Sequence, residues 1–470
     1  MEAVNFSNIS QIAIFKSSNI VFSNAILPAI LIVLNGKINR IHHYQNETHA
    51  EQILNNYNNE TVYDFGSSVI MPGVIDTHVH VNEPGRTDWE GYETATRAAA
   101  AGGVTTIVDM PLNSIPPTTT LENLKVKVKA TRGKTSVDVG FWGGVIPGNQ
   151  KHLKDLVHAG VVGFKCFMCP SGVDEFPYVN ETDITLALQE LHSLNSLLAF
   201  HAEMETEEAG SKPSGNTSLY STFLNTRPPS MEVKALQVAT THCKTYNTRC
   251  HIVHLSAAEG LEIIKHAKNN GVNLTVETCH HYLNIAAEDV PNGATQYKCT
   301  PPIRQKSNQN KLWTALKNGD LDMVVSDHSP CTENLKTPGN FMTAWGGIAS
   351  MQFDLSLMWT GARQRNFSLI EVSKLLSANP AKVVGFDKFK GTIKEGMDAD
   401  FVIWNPEEKF TVQRSNIYHK NKLTPYEGRT LYGLVIATVV RGQFVYNKGN
   451  FSHEPKGQLL LNKQFLEQIK

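Results

Sequence analysis

His78 and His80 sit one residue apart at the end of an apolar run, residues 69–80. Alternate residues of a strand point to one face and stand roughly 7 Å apart along it, so two imidazoles at this spacing can close on a single divalent ion. Polar residues close other apolar runs as well: Lys165, His201, His254 and Asp327, with His280 and His281 beside a further one. A lone histidine at a strand end is more often structural than a ligand, but several on one rim form a donor set for metal. Imidazole, carboxylate and water together suit zinc, with nickel, cobalt or manganese as alternatives. Asp327 can bind an ion and, through its free oxygen, take a proton from metal-activated water. His201 and His254 could hold a second ion, and two ions sharing a hydroxide form the clamp of many hydrolases. Lys165 does not fit such a set, because an ammonium offers no lone pair and is repelled by a dication. Charge alone reads it as a salt-bridging lysine.

These residues can meet only if the runs they terminate lie side by side. Eight β-branched apolar runs recur, at residues 69–80, 104–110, 137–145, 161–167, 197–201, 251–255, 274–277 and 323–326, and spacers such as 87–101 and 259–267 have helical composition. Eight strands with helical crossovers over roughly 250 residues match an α/β fold of the (β/α)8 TIM-barrel type, whose chemistry sits at the C-terminal strand ends. An open doubly wound sheet would carry a Gly-x-Gly-x-x-Gly loop after its first strand. That loop is absent, and His78-Val79-His80 stands in its place.

Both ends of the chain read as β structure. Residues 11–15 are mostly apolar, 29–41 are apolar and broken by Asn35-Gly36, and 400–404 and 434–446 are β-rich with a turn at Gly442. Asn-Gly between apolar runs is a strong hairpin signal. Helical signals dominate from 369 to 384. The expected organisation is a discontinuous, smaller β-sandwich domain from residues 1–68 and 390–450, a barrel over 69–389, and a tail at 451–470.

At 470 residues the chain can bury a full-sized core, and its 43 Lys+Arg against 44 Asp+Glu leave a formal net charge of −1. Near neutrality argues against nucleic acid and for small neutral or weakly charged substrates. The cysteines at 166, 169, 243, 250, 279, 299 and 331 are odd in number and lack the spacing of a disulfide framework or zinc ribbon, so they are expected reduced, even at Cys166-x-x-Cys169. Met1 to Phe6 lacks a basic segment leading into an apolar run, no stretch has the length to span a bilayer, and Glu467 to Lys470 does not match a Ser-Lys-Leu address. A cytoplasmic protein with no membrane partner is expected.

The order His-x-His, Lys, His, His, Asp along eight strands resembles the amidohydrolase superfamily. The likeness covers nearly the whole chain and, among cyclic amidohydrolases, is greatest to the allantoinase family. It is carried by the segment from Met71-Pro72-Gly73 through His78-Val79-His80 to Pro84-Gly85-Arg86, and by Met110-Pro111-Leu112-Asn113-Ser114, Gly163-Phe164-Lys165-Cys166-Phe167, Ser171-Gly172-Val173-Asp174-Glu175-Phe176-Pro177, Ser326-Asp327-His328-Ser329-Pro330-Cys331 and Thr424-Pro425-Tyr426-Glu427-Gly428-Arg429. The resemblance implies that Lys165 is carboxylated by carbon dioxide and that this anion bridges two divalent ions, most readily Zn2+. The carbamate, Asp327 and hydroxide would then set about three negative charges against four positive. It further implies a homotetramer, hydrolysis of the hydantoin ring of allantoin to allantoate in purine degradation, and Asp327 as the general base and acid.

Three relatives are weighed against that reading. Dihydroorotases place Arg two residues after the second His, where this chain has Asn82. Hydantoinases and dihydropyrimidinases carry Tyr five residues after the lysine, where this chain has Pro170. A catalytically silent scaffold paralogue loses ligands, and none is lost here. Candidate substrate contacts are Asn113, equally readable as a turn residue, Ser171 in the loop after the fourth strand, Thr300, which matches a position that meets the ring in the resembled family, and Trp345, equally readable as a loop anchor. His280 and His281 are read as supporting or structural, since the corresponding strand of the resembled family supplies no ligand.

Overall fold

Gly73 splits the first apolar run in two. A Cβ there would come within 2.2 Å of Thr105 Oγ1, so only glycine lets the chain pass this close. Its amide donates to the Asp400 carbonyl at 3.0 Å. Val69–Pro72 therefore belongs to a sheet built from the chain ends, and Val74–Val79 alone enters the barrel. This corrects the expectation of one strand over 69–80. The computed structural model describes residues 12–209 and 215–469; the expectations placed on Met1 to Phe6, Gln11 and Lys470 lie outside the described residues.

The barrel strands are β1 (Val74–Val79), β2 (Val104–Asp109), β3 (Asp138–Phe141, resumed at Gly143–Gly144), β4 (Phe164–Phe167), β5 (Leu197–His201), β6 (Arg249–Ile252), β7 (Leu274–Cys279) and β8 (Met323–Val325). All neighbouring pairs are parallel; in the β4–β5 ladder, for example, Phe167 lies opposite His201. A parallel Val79–His328 bridge, with His80 N–H donating to the His328 carbonyl at 2.8 Å, closes β8 onto β1. The crossover helices start where a side chain satisfies the free amides of the first turn. Thr120 caps Leu121–Ala130, and Asn180 with Asp183 forms a reciprocal capping box on Glu181–Ser193.

Two residues expected at strand ends lie beyond them. His254 follows β6 by two residues at φ +40°, and Asp327 follows β8 by two at φ +45°. Such left-handed conformations are uncommon for non-glycine residues.

The second sheet has nine strands, of which Ile12–Val21, Ile26–Leu34 and Lys37–His43 come from one end of the chain and Phe401–Thr411, Thr430–Val440 and Gln443–Asn447 from the other. Asn35 (φ +51°) and Gly36 (φ +79°) form the tight hairpin turn expected of them. Val69–Pro72 joins the ends, pairing parallel with Ile12–Val21 and antiparallel with Phe401–Thr411. The rings of Tyr63 and Phe444 approach to 4.9 Å and those of Phe15 and Phe444 to 5.9 Å, although their strands are not neighbours. Strands lie about 4.8 Å apart in a flat sheet, so these contacts require the sheet to fold over on a shared core. The fold is thus α/β: a (β/α)8 barrel with a smaller β-sandwich built from both ends.

Cys243 and Cys250 are joined in a disulfide, which corrects the expectation that all seven thiols are reduced. The helix Pro229–Tyr246 ends at Asn247 in a left-handed turn (φ +48°), which reverses the chain into β6 and brings the two Cα atoms to 6.2 Å. The five other cysteines are free and buried. Among the described residues no helix is long and apolar enough to cross a membrane.

Candidate metal centre

His78, His80, Lys165, His201, His254 and Asp327 are each no more than 6% exposed. His78 Nε2 lies 3.2 Å and His80 Nε2 3.5 Å from Asp327 Oδ1, and ligand atoms of the three fall within 4.8 Å of one another. The His254 ring stands 5.3 Å from that of His78 and 4.5 Å from that of His201, which stacks on Phe167 at 4.4 Å. Lys165 Nζ is 5.1 Å from the centre of the same Phe167 ring. Among the described residues Lys165 makes no ion pair, so a salt-bridging lysine does not describe it.

The proton inventory favours metal. Burial, and then the charges of Lys165 and neighbouring histidines, hold His78 well below the ordinary histidine range; burial, then His201 and Lys165, do the same for His254. Burial also lowers His201, against the opposing pull of Glu203. These rings are neutral and carry lone pairs. His78 Nδ1 lies 2.5 Å from Glu277 Oε1, and a carboxylate only accepts, so the ring proton sits on Nδ1 and the Nε2 lone pair faces Asp327. Among the described residues His78 Nε2 and His254 Nδ1 have no hydrogen-bond partner, and both are buried. A lone pair aimed at a carboxylate oxygen is repulsive, and a cation between them turns the repulsion into coordination. On that observation the donor set fits a divalent ion.

Two carboxylates that sequence reasoning missed orient these imidazoles. Glu277 receives His78 Nδ1 and the His254 backbone amide (3.2 Å) on one oxygen and His251 Nε2 (3.0 Å) on the other. Glu203 lies 2.7 Å from His201 Nε2 and takes Arg227 Nη1 at 2.6 Å. Burial alone would raise the Glu203 carboxyl, but Arg227 and His201 overcome it and hold it at about 2. A glutamate inside an apolar strand, as at 277, is the available sequence signal, because a buried charge requires partners.

Burial lowers Lys165 to about 8 although Asp327 and Glu277 act to raise it. His281 shares a donor set with Cys279 and Asp327 within 4.8 Å and places Nδ1 3.3 Å from the Tyr426 hydroxyl; His280 Nε2 lies 3.4 Å from Asp354 Oδ1.

A cleft of about 410 Å³ opens beside His201. Ser171, Thr300 and Trp345 line it. Asn113 does not; its amide nitrogen lies 3.3 Å from His80 Nδ1, behind the ring. The Ser171 hydroxyl donates to the carbonyls of Phe176 (2.6 Å) and Val173 (3.1 Å), closing its own loop. Trp345 packs edge-on against Trp89 at 4.8 Å, and its buried indole N–H has no partner among the described residues. A larger cavity of about 790 Å³, around Arg249 and Asp322 at the strand starts, is remote from these residues.

A barrel whose strand ends gather imidazoles, a carboxylate and a lysine that makes no ion pair among the described residues, beside a cleft, defines a metal-dependent hydrolase scaffold. Residues 69–445 match the amidohydrolase family. The chain is 46% identical to the allantoinase of Streptomyces avermitilis over 447 residues, covering 95% of this chain and 98% of that relative. It is 45% identical to the allantoinase of Saccharomyces cerevisiae over 87% of this chain and 90% of that one. The L-hydantoinase (dihydropyrimidinase) of Arthrobacter aurescens superposes with a TM-score of 0.87 at 30% identity, covering 96% of this chain and 99% of that one. The chain belongs to the amidohydrolase family.

Proposed function

We propose that the protein hydrolyses the hydantoin-ring amide of allantoin, giving allantoate in purine degradation. The carrying observation is the grading of the likeness: 46% identity to an allantoinase over nearly the whole chain, against 30% to a hydantoinase of equal coverage. His78, His80 and Asp327 would hold one divalent ion and His201 and His254 a second, and Lys165, carboxylated on Nζ, would supply them with an anionic ligand. Bound there, the ions, most readily zinc, supply Lewis-acid polarisation of the scissile carbonyl and a water of lowered pKa.

The protein's own groups do the rest. Asp327 takes the proton released as water adds to the carbonyl and returns it to the leaving ring nitrogen, so the same carboxylate acts first as base and then as acid. Lys165, lowered to about 8 by burial, keeps a fraction of neutral amine near pH 7, the form that reacts with carbon dioxide. Trp345 lines the cleft, where its indole ring can pack over the substrate. Thr300 and Ser171 line the same wall, and Asn113 positions His80. We read the chain ends, 1–68 and 390–450, together with Val69–Pro72 as the small domain, 74–389 as the barrel and 451–470 as the tail, the assembly as a homotetramer and the location as cytoplasmic.

Incubating the purified, metal-loaded protein with allantoin, dihydroorotate, hydantoin and dihydrouracil in parallel tests the function. Allantoin is expected to show the highest kcat/KM; preference for another substrate reassigns the activity, and no turnover of any supports a silent scaffold. Glu277→Gln is expected to weaken metal binding about 10–100-fold, the usual scale for losing the carboxylate behind a ligating histidine. Competition with a metallochromic chelator measures it, and an unchanged affinity contradicts the role given to Glu277.

A further inference from the structure

Two side-chain cations line the cleft beside His201: Lys298 and Arg227. Lys298 is engaged with the loop it supports. Its ammonium donates to the carbonyls of Ala344 (2.6 Å) and Met342 (3.2 Å), next to Trp345, and stands 4.9 Å from the centre of the Phe223 ring. Arg227 is placed differently. One guanidinium nitrogen donates to the fully buried Glu203, and its side chain remains 24% exposed at the cleft wall. The guanidinium also engages the Cys169 thiol, and among the described residues no other side-chain partner of it is seen. Guanidinium carries five N–H donors, so several are left for a ligand.

We propose that Arg227 is a specificity-determining residue that receives the exocyclic ureido carbonyl of the substrate. This deepens the allantoin reading and rests on it. Allantoin differs from bare hydantoin by a neutral ureido substituent, whose carbonyl oxygen is a strong acceptor. With the scissile amide at the His78–Asp327 cluster, the substituent has to be received by the cleft wall, where Arg227 offers a charged donor. Through Glu203 the same cation holds His201 at 2.7 Å. Substituent recognition and the orientation of a candidate ligand therefore share one residue, and a substrate lacking the ureido group leaves that donor unsatisfied.

The test uses the full-length, metal-loaded protein and Arg227→Lys, which keeps a cation for Glu203 but loses the planar fork. The kcat/KM for allantoin is expected to fall about 10–100-fold, mainly through KM, the scale of one charged hydrogen bond. The competitive inhibition constant of unsubstituted hydantoin is expected to stay within about threefold of wild type, with metal content unchanged. Arg227→Gln, run beside it, also removes the cation that keeps Glu203 ionised and is expected to add weaker metal binding to the same loss with allantoin. Equal weakening of both ligands, or no loss with allantoin, overturns the proposal. So does a loss confined to dihydroorotate, since the guanidinium would then serve a carboxylate. A wild-type protein inert toward allantoin sinks the functional reading instead, and the parallel turnover of dihydroorotate, hydantoin and dihydrouracil reports that outcome separately.

Discussion

Lys165→Ala is expected to accumulate as a folded protein with turnover reduced at least about 10²–10³-fold, the scale on which losing an electrostatic element of a site acts. Metal is expected to fall from two ions per chain to one or fewer. Lys165 is buried, makes no ion pair among the described residues, and stands among neutral imidazoles. Removing it strands no partner and relieves a buried ammonium, whose burial costs several kcal/mol when uncompensated. The metal-free variant should therefore melt no lower than the metal-free parent, while the proposed anionic bridge could no longer form. Lys165→Arg separates the two explanations: a guanidinium would serve an ion pair equally well but cannot be carboxylated, so it too is expected to be inactive. Elemental analysis, allantoin turnover and thermal melting read the result. Full activity with two ions in either variant refutes the carbamate bridge.

Asp327→Asn is expected to lower kcat about 10²–10⁴-fold, the range of general acid–base catalysis, with the melting temperature of the apoprotein nearly unchanged. Asp327 occupies left-handed backbone space (φ +45°), which asparagine tolerates. The amide keeps one oxygen near His78 and His80 but cannot take up the proton that water loses on attack. A variant that retains metal and loses turnover assigns the proton transfer to the second oxygen. Turnover near the parent's would remove Asp327 from the chemistry.

Much of the fold was legible because the alternation of apolar runs and helical spacers is imposed by burying a parallel sheet between helices. The His78–His80 spacing, the Asn35-Gly36 turn and the β-rich ends are local signals of the same kind. Other features were not local. The break at Gly73 arises from the close approach of Thr105, 32 residues on. The Cys243–Cys250 disulfide depends on a left-handed Asn247 that no cysteine spacing announces. Glu277, the partner of His78, lies 199 residues further along the chain, inside a run that reads simply as a strand.

The sequence by itself determined which donors the molecule owns and at which strand ends they stand: imidazoles at 78, 80, 201 and 254, a carboxylate at 327, and a lysine at 165 that no local charge accounts for. Tertiary structure decided what each donor can do. The free nitrogen of His78 is Nε2 because Glu277 arrives from another strand to take the Nδ1 proton, and His201 is held at Nε2 by a carboxylate that Arg227 keeps ionised. Residue type and order follow from the chain, but protonation and lone-pair direction follow from burial and hydrogen bonding, which exist only after distant strands have met.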